Sequence, residues 1–380
     1  MSTLRTRAVH AGRDDLVELG VHAVPLDLST TYPARDSAAE AARLDVLAGG
    51  ELDGRMPVYG RISNPTVERF ETAVAELEGC TDAVAFASGM AALSACLLAA
   101  VTAGHGHVVA VRPLYGTTDH LLDSGVLGTS VTWARAEDVG SALRPDTGLV
   151  IVETPTNPTL TEVDLDALAE ACGEVPLLVD NTFATPVLQR PREHGASLVL
   201  HSATKFLGGH GDAMGGIIAC EAGWARRLRQ LRMVTGAVLH PMAAYLLLRG
   251  LSTLPVRVRA ASATAGALAE RLRGHPNVAR VHYPARSGGA LVSFEVHGDP
   301  VAVVGAVRLI TPAVSLGSVD TLIQHPASLT HHIVAPTDRH AAGISDRLLR
   351  LSVGLESADD LWEDLDAALG THNAEVTPSE

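Results

Sequence analysis

The sequence predicts an α/β protein, with a mostly parallel seven-stranded sheet followed by a smaller C-terminal α+β domain. Three observations predict it. Across residues 56–251 short apolar runs alternate with helical segments, and each run is continuously apolar, as in strands covered on both faces. Polar residues of distinct chemistry gather just after the C-terminal ends of five of these runs, the edge where such sheets bind ligands. The length, 380 residues, suits two cores better than one. The expected organisation is an arm at 1–55, a large domain at 56–251 and a small domain at 252–380.

Residues 1–55 carry turn-formers and no sustained period, which suits an arm that wraps a neighbouring subunit. Next comes Tyr59-Gly60-Arg61-Ile62-Ser63-Asn64-Pro65, in which Asn64 or Ser63 caps a helix starting at Pro65. Val67, Phe70, Val74 and Leu77 keep helical spacing, and Gly79 ends the helix. Tyr59 and Arg61 precede it on a loop, positioned to reach outward. The apolar runs Ala83–Ala87, Val108–Arg112, Val131–Ala134, Leu149–Glu153, Leu177–Asp180, Leu198–Ser202 and Gly216–Cys220 are the seven expected strands. Between the first two, Met90 to Ala103 is too short and alanine-rich to span a bilayer and is expected as a buried helix. Beyond Leu251, helices are expected around Pro255–Arg273 and Ser357–Leu369, with strands near Leu291–Val296 and Leu348–Val353.

Composition removes several function classes. A net charge of −14 argues against nucleic acid and anionic membranes as partners. Cys80, Cys96, Cys172 and Cys220 show no metal spacing, so reduced thiols in the cytoplasm are expected rather than disulfides. The 17 histidines are scattered, and no metal site is expected. The first fifteen residues lack the apolar core of a signal peptide.

The chemistry converges on Lys205, the only lysine among 29 basic residues. Unlike a guanidinium, its amine can lose a proton when desolvated and form a Schiff base with a carbonyl. It follows the apolar run ending in Ser202, lies beside Thr204 and precedes a glycine-rich turn. The other strand ends carry Ser88-Gly89-Met90 opening a helix, Tyr115, Asn157, and Asp180 with Thr182. Free amides at a helix start suit a phosphate, and a carboxylate suits a protonated pyridine nitrogen. An anion nest, a Schiff-base lysine, an aromatic ring and a carboxylate match the needs of pyridoxal 5'-phosphate.

The chain resembles the γ-family of fold-type I pyridoxal phosphate enzymes of sulfur amino acid metabolism. The motifs are Tyr59-Gly60-Arg61 with Asn64-Pro65-Thr66, Ser88-Gly89-Met90-Ala91-Ala92, Glu153-Thr154-Pro155-Thr156-Asn157-Pro158, Val179-Asp180-Asn181-Thr182-Phe183, Ser202-Ala203-Thr204-Lys205-Phe206 and Leu349-Arg350-Leu351-Ser352-Val353-Gly354-Leu355-Glu356. The resemblance implies a fold-type I transferase-like architecture in which the large domain binds the cofactor. It implies that Lys205 carries the cofactor aldehyde and shuttles protons, and that Asp180 pairs with the ring nitrogen. Tyr115 would stack on the ring and exchange a proton with the leaving group. Ser88, Gly89, Met90, Thr182, Ser202 and Thr204 would complete the cofactor site. Tyr59 and Arg61 would reach the phosphate of an adjacent subunit, so a homo-oligomer, usually a tetramer of paired dimers, is implied. Arg350 would clamp the substrate carboxylate, with Asn157 and Ser315 nearby.

Within the family, cystathionine enzymes typically carry a glutamate where Val314 stands, as methionine γ-lyases do not. An apolar residue packs against a thioether methyl but leaves a distal ammonium unpaired. Thr117, in place of a cysteine, and Arg232-Met233, in place of a Lys-Asp pair, depart from methionine γ-lyases. The segment Ala285-Arg286-Ser287-Gly288-Gly289 is shorter than in the family and is expected to trim a surface element. The expected activity is γ-elimination of the methionine γ-lyase kind. Cystathionine γ-lyase activity, γ-replacement as in cystathionine γ-synthase or an O-acylhomoserine sulfhydrylase, and a non-catalytic protein on this fold are the alternatives. A nucleotide-binding protein would need more than the one glycine of Ser88-Gly89-Met90.

Overall fold

Seven strands fall where the apolar runs predict them: β1 Asp82–Phe86, β2 His107–Val111, β3 Ser130–Ala134, β4 Thr147–Glu153, β5 Leu177–Asp180, β6 Leu198–Ser202 and β7 Gly216–Cys220. The structure, a computed structural model, describes residues 2–52 and 57–370. The expected boundary at 55/56 and the end of the chain after 370 lie outside the described residues. The sheet order is β1-β7-β6-β5-β4-β2-β3. Neighbours from β6 through β3 are parallel, whereas β7 runs antiparallel to both β6 and β1. The connection from β6 to β7 explains the reversal. Parallel neighbours need a crossover, usually a helix. Residues 203–215 instead form turns around Lys205 and glycines, and the chain comes straight back.

Alternate strand residues feed two cores, which is why the runs lack polar alternation. Val109, Val150, Val179 and Val199 pack on one face with helix Pro65–Glu78 and helix Pro241–Leu251. Val108, Leu149, Leu178 and Leu198 pack on the other with helix Gly89–Thr102, the segment expected to be a buried helix. Each such side chain removed from water contributes about 1.5–3 kcal/mol. Helix Pro65–Glu78 starts and stops as its sequence dictates. Asn64 Oδ1 accepts from the amides of Thr66 and Val67, Pro65 occupies the first turn, and Gly79 closes the helix at φ +75°.

A second sheet of five strands follows: β8 Val278–His282, β9 Leu291–Val296, β10 Thr311–Pro312, β11 Leu322–Gln324 and β12 Leu348–Ser352, in the order β10-β11-β12-β9-β8. Helices Leu254–Arg273 and Ala358–Gly370 cover it. The first of these belongs to both halves of the protein. Its Leu254, Val258 and Ala261 join the core of the large sheet, and its Ala265, Leu268 and Leu272 join the core of the small one. The short segment Ala285–Gly289 links β8 to β9 directly, and the amides of Arg286 and Ser287 donate to the Glu162 carboxylate at 2.9 and 2.8 Å.

Residues 1–55 are not without regular structure. Thr3 caps a helix Leu4–His10, and Asp36 caps a helix Ser37–Ala48. The second is built of strong helix formers yet buries only Leu47, so no apolar stripe announces it. Among the described residues no helix is long and apolar enough to cross a membrane.

Candidate active site

The strand ends expected to carry chemistry meet in one cavity of about 280 Å³. Ser88, Gly89, Met90, Tyr115, Asn157, Asp180, Thr182, Ser202, Thr204, Lys205, Val314, Ser315 and Arg350 all line it. Tyr59 and Arg61 do not. The Arg61 guanidinium lies 5.5 Å over the Tyr59 ring and donates to the Met233 carbonyl at 2.7 Å. Arg232 is likewise absent from the cavity wall: it is buried against Glu71, with further bonds to the carbonyls of Ala85 and Ile62. Thr117 and Met233 also stand outside this wall, whereas Thr118 is part of it.

The helix start at Gly89 forms one end of the cavity. Ser88 Oγ accepts from the Ala91 amide at 3.1 Å and the Ser88 carbonyl accepts from Ala92, so Ser88 acts as the helix cap. Gly89 and Met90 keep free amides among the described residues, at a helix start on the cavity wall, an arrangement suited to an anion. The close fit depends on small residues. A Cβ at Gly89 would sit 3.1 Å from Ser202 Cβ, and one at Gly216 would strike the Ser88 backbone. The Thr204 hydroxyl is tied to Gly215, donating to its carbonyl at 3.2 Å and accepting from its amide at 3.1 Å.

Two carboxyl groups end adjacent strands, with Glu153 in register with Asp180. The Thr182 amide and hydroxyl both donate to Asp180 Oδ1, at 3.0 and 2.5 Å, and Thr182 Oγ1 accepts from the Ser202 amide at 2.9 Å. Burial raises the Asp180 pKa, and the Thr182 hydrogen bonds oppose that rise. Glu153 is pushed well above the ordinary carboxylate range, first by burial and then by the Asp180 charge. Its Oε2 accepts from the Tyr115 amide at 2.8 Å. Of the two, Asp180 is therefore the group set to stay ionised opposite a cation.

Lys205 Nζ donates to Ser315 Oγ at 2.7 Å. Burial, and secondarily the Arg350 charge, bring the Lys205 pKa down to about 8. Ser315 itself is held at φ +93°, a conformation that costs a non-glycine residue about 1–3 kcal/mol and is retained chiefly at functional sites. Beside it Gly317, at φ +80°, lets the chain pass close over Lys205 and Phe206; a Cβ there would lie 2.7 Å from the Phe206 nitrogen.

Arg350, on β12, is buried with 2% exposure. Nη1 donates to Asn157 Oδ1 at 2.8 Å and Nη2 to the Ser315 carbonyl at 3.0 Å. The Gln324 amide, turned with its oxygen toward the guanidinium, accepts from Nη2 at 2.6 Å. The Phe183 ring lies beneath, its centroid 5.9 Å from Cζ. Among the described residues no carboxylate stands within 4 Å of the guanidinium, and burial lowers its pKa to about 10. A buried guanidinium with neutral partners is a site for an incoming carboxylate.

Sequence reasoning quoted Glu153 in a motif without giving it a role, although a charge closing an apolar run beside Asp180 was a usable signal. Phe183 was likewise quoted in a motif without a role, and Gln324, Met214 and Thr330, which border the cavity or the Arg350 fork, were missed. Gln324 ends a three-residue strand and leaves no pattern to find.

These groups fit pyridoxal phosphate: a desolvated amine for its aldehyde, a helix start for its phosphate, a carboxylate for its ring nitrogen and a phenol for its face. Comparison with known proteins agrees. The chain is 69% identical to an L-methionine gamma-lyase of Streptomyces avermitilis over 370 residues, covering 97% of this chain and 89% of that one. It is 58% identical to an L-methionine gamma-lyase of Brevibacterium sandarakinum, covering 97% and 98%. Among solved structures, cystathionine gamma synthase from Xanthomonas oryzae pv. oryzae, in complex with aminoacrylate and cysteine, superposes with a TM-score of 0.90 at 36% identity, over 99% of this chain and 100% of that one. The model of the Cys/Met metabolism PLP-dependent enzymes matches residues 5–370, so this chain belongs to that family of enzymes.

Proposed function

We propose that this enzyme is a carbon–sulfur lyase that catalyses γ-elimination on L-methionine, consuming water and giving 2-oxobutyrate, methanethiol and ammonia. One observation carries the proposal. Ser315 holds the catalytic amine and the carboxylate clamp together, its Oγ on Lys205 Nζ at 2.7 Å and its carbonyl on Arg350 Nη2 at 3.0 Å. Apolar Val314 precedes it on the cavity wall. An α-amino acid whose carboxylate lies on the Arg350 fork is thereby anchored beside Lys205, and Val314 offers a thioether side chain an apolar neighbour.

When bound, the cofactor supplies an aldehyde for amines and a protonated ring that accepts electron pairs released at carbon. The chain supplies the rest. The Gly89 and Met90 amides, with Ser202 and Thr204, would hold the phosphate, and Asp180, fixed by Thr182, would pair with the ring nitrogen. Lys205, with a pKa near 8, is partly neutral at physiological pH and removes the α-proton, then a β-proton. Tyr115, on the loop bonded to Glu153, gives a proton to the departing thiolate. Arg350 keeps the carboxylate fixed throughout. Tyr59 and Arg61, outside their own cavity, serve the phosphate of a partner subunit, and residues 1–55 are the arm that embraces it. The free cysteines, three of them buried, support a reducing, cytoplasmic setting.

Purified enzyme offered methionine, homocysteine, cystathionine, or O-acetylhomoserine with sulfide should release 2-oxobutyrate and methanethiol from methionine. Thioether synthesis without oxo acid, or turnover of cystathionine alone, would overturn the assignment, as would a Lys205→Ala variant of wild-type rate. Mixing inactive Lys205→Ala and Arg61→Ala subunits should restore about a quarter of the activity by random pairing in a twofold dimer. No restoration would rule out shared sites.

A further inference from the structure

Arg257 takes no part in the proposed reaction, yet it is bonded to the segment that carries Lys205. It stands in the first turn of helix Leu254–Arg273 and is 7% exposed. Its Nε donates to Thr253 Oγ1 at 3.0 Å and its Nη1 to the Phe206 carbonyl at 2.9 Å. Its Nη2 donates to the carbonyls of Gly250 at 2.8 Å and Leu207 at 3.4 Å. Burial brings the guanidinium down to about 10, with no neighbouring charge among the described residues to offset it.

The chain from Ala203 to Gly208 winds through successive hydrogen-bonded turns at the end of β6. Lys205 N donates to the Ser202 carbonyl, Gly208 N to Ala203 and Gly209 N to Lys205. The next two carbonyls, of Phe206 and Leu207, are those that a turn ending here leaves without an amide. Arg257 takes both, a cation at the carbonyl end of the turn that bears the lysine. Gly209 makes room: at φ +72°, a Cβ there would occupy the position of the guanidinium. The same helix enters the core around β12, the strand of Arg350.

We infer that Arg257 is a positioning residue for Lys205: its planar fork locks the Lys205 turn onto the helix shared by the two sheets, and so sets the amine against Ser315 and Arg350. The inference rests on Lys205 being the cofactor-bearing residue. A lysine in its place keeps the charge but has no rigid fork with which to hold three carbonyls at once.

The test uses Arg257→Met, Arg257→Lys and Thr253→Val holoenzymes. In each, kcat, KM for methionine, melting temperature and the pH midpoint of the absorbance of bound cofactor are read. Arg257→Met should lower kcat by about 10–100-fold, the scale of a small misplacement of a reacting group, while KM moves far less. The absorbance midpoint should shift by about half a unit or more, and Arg257→Lys should recover neither quantity fully. Thr253→Val, which removes the Nε acceptor and the Thr253 bond to the Gly250 carbonyl but leaves the bonds to Phe206 and Leu207, should shift the midpoint less but in the same direction, and it decides the matter if Arg257→Met does not fold. A lower melting temperature with wild-type kcat and an unmoved midpoint would overturn the inference. Wild-type enzyme without a borohydride-trappable adduct on Lys205 would instead remove the functional assignment beneath it.

Discussion

Replacing Arg350 should separate binding from stability, because the guanidinium has only neutral partners until substrate arrives. In Arg350→Met the substrate carboxylate loses a buried bidentate cation. Truncating one partner of such a pair costs about 3–5 kcal/mol. At about 1.4 kcal/mol per decade, kcat/KM for methionine should fall by roughly two to three and a half powers of ten. The folded protein pays little for the same change. The fall of the Arg350 pKa from the ordinary 12.5 to about 10 marks an unfavourable setting worth ~3 kcal/mol, which methionine escapes. Against that, Asn157 Oδ1, the Ser315 carbonyl and the Gln324 oxygen lose their donor at about 1 kcal/mol each or somewhat more. The two terms nearly cancel, so the melting temperature should move by only a few degrees. Steady-state kinetics and thermal unfolding of one preparation check both halves. Arg350→Lys should fail kinetically as well, since an ammonium cannot span Asn157, Ser315 and a carboxylate. A variant with kcat/KM within about threefold of wild type, or full rescue by lysine, would refute the reasoning.

Because Lys205 is the only lysine, an amine-selective reagent reports on it by peptide mapping. In cofactor-free protein its reactivity should rise with a midpoint near pH 8, and a midpoint near 10 would contradict the desolvation argument. The sign for stability follows: the unfolded chain keeps this proton up to about 10.5 and the folded one only to about 8, so this group should make folding more favourable by up to ~3 kcal/mol as pH rises across that interval. Glu71→Gln should lower stability by about 3–5 kcal/mol in denaturant unfolding, because it leaves Arg232 buried without its counter-charge. An unchanged midpoint would show that the pair contributes nothing.

How far the sequence was legible follows from what each pattern encodes. All seven strands of the large sheet lie within about two residues of the apolar runs, because burial on both faces leaves few polar positions inside them; His201 in β6 and Thr132 in the half-exposed edge strand β3 are exceptions. The cap at Asn64 and the stop at Gly79 were equally readable, since each residue type acts locally. Strand direction was not. An apolar run records that β7 is buried, and its antiparallel course is set by the turn around Lys205. In the small sheet, β10 and β11 have two and three residues, too few for any period, and the strand β8 has exposed positions that break its run. The site was legible where a residue type is rare or its setting unusual, as with the sole lysine or a carboxylate ending a strand. Arg257 is one arginine among many, and only the position of its fork on the Phe206 carbonyl distinguishes it.

The same contrast explains how the site is charged. Arg350 is a buried cation, Lys205 a half-buried amine lowered by desolvation, and Asp180 and Glu153 are carboxyl groups raised by burial, yet among the described residues none has an opposite charge within 4 Å. Pairing them directly would relieve much of that unfavourable burial, and would also leave nothing for an amino acid or a charged ring to bind. The sheets prevent the pairing. Asp180 and Glu153 are fixed on adjacent strands of the large sheet, Arg350 on the small one, and Lys205 is held on Ser315 across the junction. The two cores on either face of the large sheet supply the stability that tolerates this arrangement. On the proposed assignment, a carboxylate on Arg350 and a protonated ring nitrogen on Asp180 would complete pairs the fold leaves open, so that affinity for cofactor and substrate would come from charges already desolvated.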